Sequence, residues 1–392
     1  MKILILTDDC LGPMMAGSAL RAWELGRALE TAGNEVVIAG AAGSTAPGQG
    51  PKVASRPRWS WADAVLSAPW NLPPQAFIRR SLLIVDGVTP LPAELAAMPQ
   101  SKTIRRRTRT AMARVPLVAA RADALLVAGR AQMHWWSTQL DHIRPEIPIL
   151  DTPFGVPGSA PPPERTEIPG VPAHHAVVLW WGGVWPWLDL DTLLTARARL
   201  GNAPISIVVP VAARPGSSAS NFGPSDLRRA TEARGLKAPQ VVGLEQWIPY
   251  AERHRILNRT SLLAVLHRAG PETILSFRTR ALDGLWAGVP LLLSEGGEVS
   301  DLAHHHGWGG VVRPGDISGT AAALELLLTE REQLRCRANL ERARPFWSWN
   351  QLIEPLVDAL PTLRQYPRGP LAPAVIKSTL TLAGLRSTGG PA

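Results

Sequence analysis

The sequence predicts an α/β protein of two domains, each built on a parallel sheet. Three observations predict it: apolar runs of strand length recur along the chain, amphipathic stretches of helix length alternate with them, and one proline-rich segment divides the series. Runs without polar alternation suit strands covered on both faces, as parallel strands are. With 392 residues, 45% of them hydrophobic, the chain can bury two cores of ordinary size.

The opening KILILT is the first such run. The loop DDCLGPMMAG leads to an amphipathic stretch from Ser18 to Ala32, with Ser18 placed to cap its start and Gly33 to stop it. EVVIAG, Glu35 to Gly40, is a second strand, so the chain opens with a β-loop-helix-β unit of parallel type, and both domains read as Rossmann-like. Ser81 to Asp86, Ala122 to Gly129 and Ile147 to Gly155 finish the first sheet. Between Pro157 and Pro172 prolines are too frequent for regular structure, which marks the interdomain linker. Beyond it AVVLWWGG, PISIVVPV, QVVG, SLLAVLH and VPLLLS alternate with helices from about Asp191, Ser225 to Arg234, Tyr250 to Asn258 and Arg280 to Ala287. The helical run Thr320 to Arg344 ends at Pro345, and FWSWNQLIEPLVDAL is a last amphipathic helix. The resulting boundaries are 1–160, 161–345 and 346–392, the last being a helix that returns toward the first domain and a weakly ordered, proline- and glycine-rich tail from Pro367.

Composition narrows the function classes. Cys10 and Cys336 lie far apart, with neither metal-ligand spacing nor a disulfide framework, and no charged segment followed by an apolar run opens the chain. No apolar stretch reaches the roughly 18 residues of a membrane span, so the expectation is a cytoplasmic protein. The net charge of +9, mostly arginine, suits an anionic partner: nucleic acid, a membrane surface or a phosphorylated small molecule. Fifteen tryptophans stand against two tyrosines, which reads first as core packing and second as the wall of a sugar or acceptor pocket.

Ligands of open parallel sheets sit beyond the carboxyl ends of the strands, so the informative residues follow each strand. After the first strand, Gly12, Gly17 and Ser18 let backbone N–H groups approach an anion at a helix start, or simply form a tight turn. G-x-G-x-x-G and G-K-[ST] are both absent, against a usual dinucleotide or P-loop site. In VLWWGGVWPWLDLDTLL, Gly182 and Gly183 permit close approach, Trp185 and Trp187 wall the space, and Asp189 or Asp191 caps the next helix. Those acids favour a sugar or base edge over a phosphate.

The most specific segment is HRAGPETILSFRTRALDGLWAGVP. Arg278 and Arg280 fall beside a first helical turn, where a cation meets the positive end of the dipole at a cost of about 0.3–1 kcal/mol. A bound diphosphate reverses that sign, since each charge-assisted bond contributes about 1.5–3 kcal/mol. The competing reading pairs Arg280 with Asp283, three residues on. Asp283 is placed to accept from a ribose diol, and Glu272 to meet hydroxyls of a transferred sugar or only solvent.

This segment resembles the family 4 glycosyltransferases, retaining enzymes of the two-Rossmann arrangement called GT-B, which implies two parallel sheets facing a central cleft. Counting back from Ala287-Gly288-Val289-Pro290, the family's second acidic position falls on Asp283 and its first on Leu275, with Glu272 three residues earlier. The arginine and lysine of the family's GG loop read Gly183 and Leu188 here. A branch associated with cell-surface polysaccharide synthesis is similar in these places, through Trp187 with Asp189, Trp247-Ile248-Pro249-Tyr250, and Glu272 to Gly288. It also matches Met15 to Arg21 and PFGVP at Pro153 to Pro157. The resemblance implies an acceptor-binding first domain and a second domain that binds a UDP-, GDP- or dTDP-sugar as substrate, without cofactor or metal. Its donor site would comprise Gly17, Gly182, Gly183, Trp247, Ser276, Phe277, Arg278, Thr279, Arg280 and Asp283, with the diphosphate clamp moved to Arg278 and Arg280. Asp86, after its strand, would face the cleft and position or deprotonate the acceptor, unless it only caps a turn. Catalysis would then rest on Asp86, Glu272 and Arg278. The acceptor stays open: a saccharide, a lipid-linked sugar, or a small molecule of antibiotic type with an O, N or S nucleophile. An inactive donor-binding subunit and a sugar-nucleotide epimerase are the competing readings.

Two further signals point less sharply. His304, His305 and His306 suit the negative end of a helix before Gly307. The run Ile104 to Arg114 is a basic helix, either a solvated face or a surface for anionic lipid headgroups. It lacks interleaved aromatics, so nucleic acid is not expected as a partner.

Overall fold

A computed structural model describes residues 1–78, 80–141, 143–213, 222–363 and 368–384. The first domain holds a seven-stranded sheet of β1 (Lys2–Leu6), β2 (Glu35–Ala39), β3 (Lys52–Ala54), β4 (Ala64–Ser67), β5 (Leu82–Asp86), β6 (Ala124–Val127) and β7 (Ile149–Asp151). The second holds six strands, β8 (Ala176–Trp180), β9 (Ile205–Pro210), β10 (Val241–Leu244), β11 (Leu262–Val265), β12 (Leu291–Ser294) and β13 (Gly309–Val312). All pairings are parallel, in the orders β3-β2-β1-β4-β5-β6-β7 and β10-β9-β8-β11-β12-β13. These are the two Rossmann-like sheets of the GT-B arrangement. Strands such as β5 and β11 are buried along their length because helices cover both sheet faces.

In each sheet the order reverses beside the first strand, between β1 and β4 and between β8 and β11. Chain leaving β1 and β8 therefore opens a crevice at the carboxyl edge, which is where ligands reach such sheets. The first helix runs Gly17–Thr31 with Ala16 at its cap, so Ser18 does not cap it; the Ser18 hydroxyl bonds Asp9 instead. Asp189 does cap the Leu190–Arg199 helix, accepting from the Thr192 N–H.

The C-terminal segment returns to the first domain. Val156 bridges Ser348, and the buried Trp349 lies where a Cβ on Gly155 would come within 2.9 Å of it, so PFGVP needs that glycine. The tail differs from expectation. Pro367 lies outside the described residues, but Leu371–Ala383 forms a helix packed along the Lys102–Arg121 helix. Arg368 anchors its approach by an ion pair to buried Asp123 at 2.7 Å. Among the described residues no helix is long and apolar enough to cross a membrane.

Candidate active site

Between the domains lies a cavity of about 960 Å³. Ala16, Gly17, Ser18, Leu91, Glu94 and Arg107 line it from the first domain. The second contributes Gly182, Gly183, Trp185 and Trp187 after β8, Gln246 and Trp247 after β10, and His267, Glu272, Ser276 and Arg278 to Arg280 after β11. Trp185 and Trp187 stack 5.4 Å apart, nearly parallel. Direct bonds join the lobes around this cleft: Gln132 Nε2 donates to both Val88 and Leu275 carbonyls, and the Tyr250 N–H donates to the Pro13 carbonyl.

Most of the sequence-derived residues meet here, but with roles divided differently. Gly17, Gly182, Gly183, Trp247, Ser276, Thr279, Arg280, Asp283, Arg278 and Glu272 all line the cavity. Phe277 does not; it is 4% exposed, in the core, against Trp347. Asp86 does not line it either, among the described residues. Both its carboxylate oxygens accept from Arg21, at 2.7 and 2.9 Å, so it braces the end of β5 rather than facing an acceptor. Arg21 is buried and also donates to the Thr152 and Pro153 carbonyls beneath the Phe154 ring. The Met15 to Arg21 and PFGVP motifs thus meet at one guanidinium.

Arg278 is buried and Arg280 half-buried at the cavity wall, and desolvation pushes each guanidinium down to about 10, still a cation at neutral pH. Arg278 is left-handed at φ 52°, ψ 51°, a conformation that costs a non-glycine residue about 1–2 kcal/mol. That turn sends its side chain to the carbonyls of Ser294, Glu295 and Gly296 and to the Ser300 hydroxyl, which offset the strain. Arg278 therefore secures the loop after β12, and its buried Nε has no partner. Among the described residues Arg280 gives only Nη1 to a protein acceptor, the Gly183 carbonyl at 2.9 Å. Its other donors border the cavity. A Cβ on Gly182, at φ 92°, would come within 2.8 Å of Arg280 Nε, so the GG loop leaves room for this guanidinium. Among the described residues neither arginine forms an ion pair with a carboxylate.

The competing pairing of Arg280 with Asp283 does not form; Asp283 has other partners. Asp283 accepts from Trp181 Nε1 at 2.7 Å and from Arg253 Nε at 2.9 Å. Arg253 is held between the rings of Tyr250 and Trp286, 3.8 and 4.0 Å from their centroids. Sequence reasoning missed Arg253, although it stands three residues after the Trp247 to Tyr250 motif and lines the cavity.

Glu272 is 3% exposed, and its Oε2 lies 2.8 Å from Nδ1 of the equally buried His267. Burial raises the carboxyl to about 7, opposed by the Ser276 hydroxyl and the two arginines. Burial and the same arginines hold His267 well below its ordinary range, so the imidazole is neutral and the contact is a shared proton, not an ion pair. A glutamate that titrates near 4.5 unfolded and near 7 folded binds its proton more tightly in the native state. Its ionisation therefore subtracts stability as pH rises through 7. Glu272→Gln keeps the bond to His267 and removes that cost. Urea denaturation is expected to show a gain of about 1–3 kcal/mol at pH 8 and under about 1 kcal/mol at pH 5. Equal gains at both values would place the burial penalty elsewhere.

His304, His305 and His306 end the Glu298–His306 helix before left-handed Gly307, as expected. No protein-family model matches the chain, and no curated protein matches it in sequence. Solved structures match its fold. Sucrose-phosphate synthase from Thermosynechococcus elongatus superposes with a TM-score of 0.66 at 14% identity, over 94% of this chain and 100% of that one. HepE from Anabaena, solved with UDP and glucose, gives 0.65 at 16% identity over 92% and 100%. WaaG, a glycosyltransferase of lipopolysaccharide biosynthesis, gives 0.62 at 14% over 92% and 100%.

Proposed function

We propose that the protein is a glycosyltransferase that moves a hexosyl group from a nucleoside diphosphate to a saccharide, lipid-linked or small-molecule acceptor, with retention and without a metal. One observation carries this reading: two guanidinium groups, Arg278 buried and Arg280 half-buried, which among the described residues have no carboxylate partner, stand at the start of the Thr279–Ala287 helix in a cleft between two parallel-sheet domains. Desolvated cations cost free energy until an anion completes them, and a helix N-terminus adds N–H donors for the same charge. The cleft offers the rest of a donor site. Asp283 keeps lone pairs for ribose hydroxyls, Trp247 and Gln246 border space for a base, and the Glu272–His267 pair meets sugar hydroxyls. The fold shared with HepE, which was solved with UDP and glucose, supports UDP as the first nucleotide to test.

In the reaction the bond from the anomeric carbon to the phosphate oxygen breaks as the acceptor's bond to that carbon forms on the same face. The acceptor proton passes to the departing phosphate. Arg280 stabilises the charge that grows there, and Arg278 adds field while holding the loop that borders it. Thermal shift against UDP, GDP and dTDP tests the donor site; a nucleotide at a hundred times its Kd stabilises the fold by about 2.7 kcal/mol. No shift with any of them would remove the reading. A shift without turnover across a panel of nucleotide sugars and acceptors, in EDTA, would favour the inactive donor-binding subunit instead.

A further inference from the structure

The Leu371–Ala383 helix exposes more apolar surface than a helix that only covers a core. Its buried positions are Ala374 and Ser378, small residues one turn apart that seat it closely on the Lys102–Arg121 helix. Leu371 and Leu380 are half-buried, but three large apolar side chains are exposed: Val375 is 46% exposed, Ile376 62% and Leu382 49%. At 3.6 residues per turn these three fall within an arc of about 120° that begins beside Ser378, at the edge of the seam, and runs out to Ile376 on the far side. The helix contains no acidic residue and one cation, Lys377.

The neighbouring helix supplies the complementary charge. It also lacks acidic residues, and Lys102, Arg105, Arg106, Arg107 and Arg109 are exposed along its first half. Among the described residues none of Lys102, Arg105, Arg106 and Arg109 is ion-paired. Arg109 reaches the end of the apolar helix, its guanidinium carbon 3.5 Å from where a Cβ on Gly384 would stand. Arg107 lines the cleft, so this cationic helix runs from the apolar arc to the mouth of the site.

We infer that these two helices form a docking surface for anionic lipid bilayers, with Val375, Ile376 and Leu382 entering the interface and the flanking arginines meeting headgroup phosphates. An apolar arc beside unpaired cations matches an interfacial helix, which binds through apolar burial and attraction to anionic lipid together. A nucleic acid would use the charge but leave the apolar arc in water. The inference does not depend on the reading of the cleft.

Flotation of the full chain with phosphatidylcholine vesicles, with and without phosphatidylglycerol, tests it. Binding is expected only to the anionic vesicles. Arg105→Ser, Arg106→Ser and Arg109→Ser together should weaken it about a hundredfold, and Val375→Ser, Ile376→Ser and Leu382→Ser together at least about tenfold. Unaltered melting temperatures and far-UV circular dichroism in both variants would show that the fold is intact. Overturning results are absence of binding to anionic vesicles, vesicle binding unchanged in either variant, duplex DNA bound in place of vesicles, or a dimer in sedimentation that the serine substitutions dissolve.

Discussion

Arg280→Ala is expected to weaken binding of the donor nucleoside diphosphate by a hundredfold or more, measured by calorimetry. The wild-type guanidinium has one N–H group on the Gly183 carbonyl and its remaining donors bordering the cavity. Two charge-assisted bonds to phosphate oxygens at about 1.5–3 kcal/mol each exceed the 2.7 kcal/mol that a hundredfold represents. Stability should rise or hold, because the substitution removes a partly desolvated cation that, among the described residues, lacks a counter-charge. Arg280→Lys should recover only part of the affinity, since an ammonium cannot reproduce the planar fork. Donor binding unchanged in Arg280→Ala would dismiss the phosphate grip. Arg278→Ala is a separate case: its guanidinium is committed to the loop after β12, so the variant should lose stability as well as affinity.

Asp86→Ala is expected to lower stability by about 3–5 kcal/mol in urea denaturation, the largest loss among these substitutions. The change strands Arg21, which is 3% exposed and would keep only two carbonyls for a full positive charge. Arg21→Met should cost less, since it leaves a carboxylate that is 14% exposed and within reach of water. If Asp86 instead acted on the acceptor, its removal would abolish transfer while leaving the denaturation midpoint in place.

Much of the fold was legible because buried parallel strands leave continuous apolar text. KILIL, EVVIA and LLIVD show no polar alternation, and each became a strand. What escaped was short or disguised. Lys52–Ala54 has three residues beside a stretch rich in glycine and proline, and AVLS of Ala64–Ser67 is flanked by Asp63 and Pro69; only pairing with neighbours makes them strands. The Leu371–Ala383 helix was hidden by the prolines and glycines on either side, although its own residues are mostly good helix formers. In the site, charge and spacing marked Arg278 and Arg280 as a pair, but not that they part. A left-handed backbone at a non-glycine residue has no sequence signature, and it alone turns one guanidinium toward Ser294 while the other stays at the cleft. Asp86 failed as a cleft residue for a related reason, because its partner Arg21 lies 65 positions away in sequence.

The chain crosses between the lobes twice, and the two crossings are stitched together: the Val156 N–H donates to the Trp347 carbonyl at 2.8 Å, and the Trp349 N–H returns a bond to Val156 at 3.2 Å. A single crossing would act as a swivel, free to tilt and twist. Two side by side act as the pin of a door, leaving one axis of rotation. Any rotation of one lobe against the other is thereby confined to a single path, which fixes the line along which Arg280 can approach the first lobe.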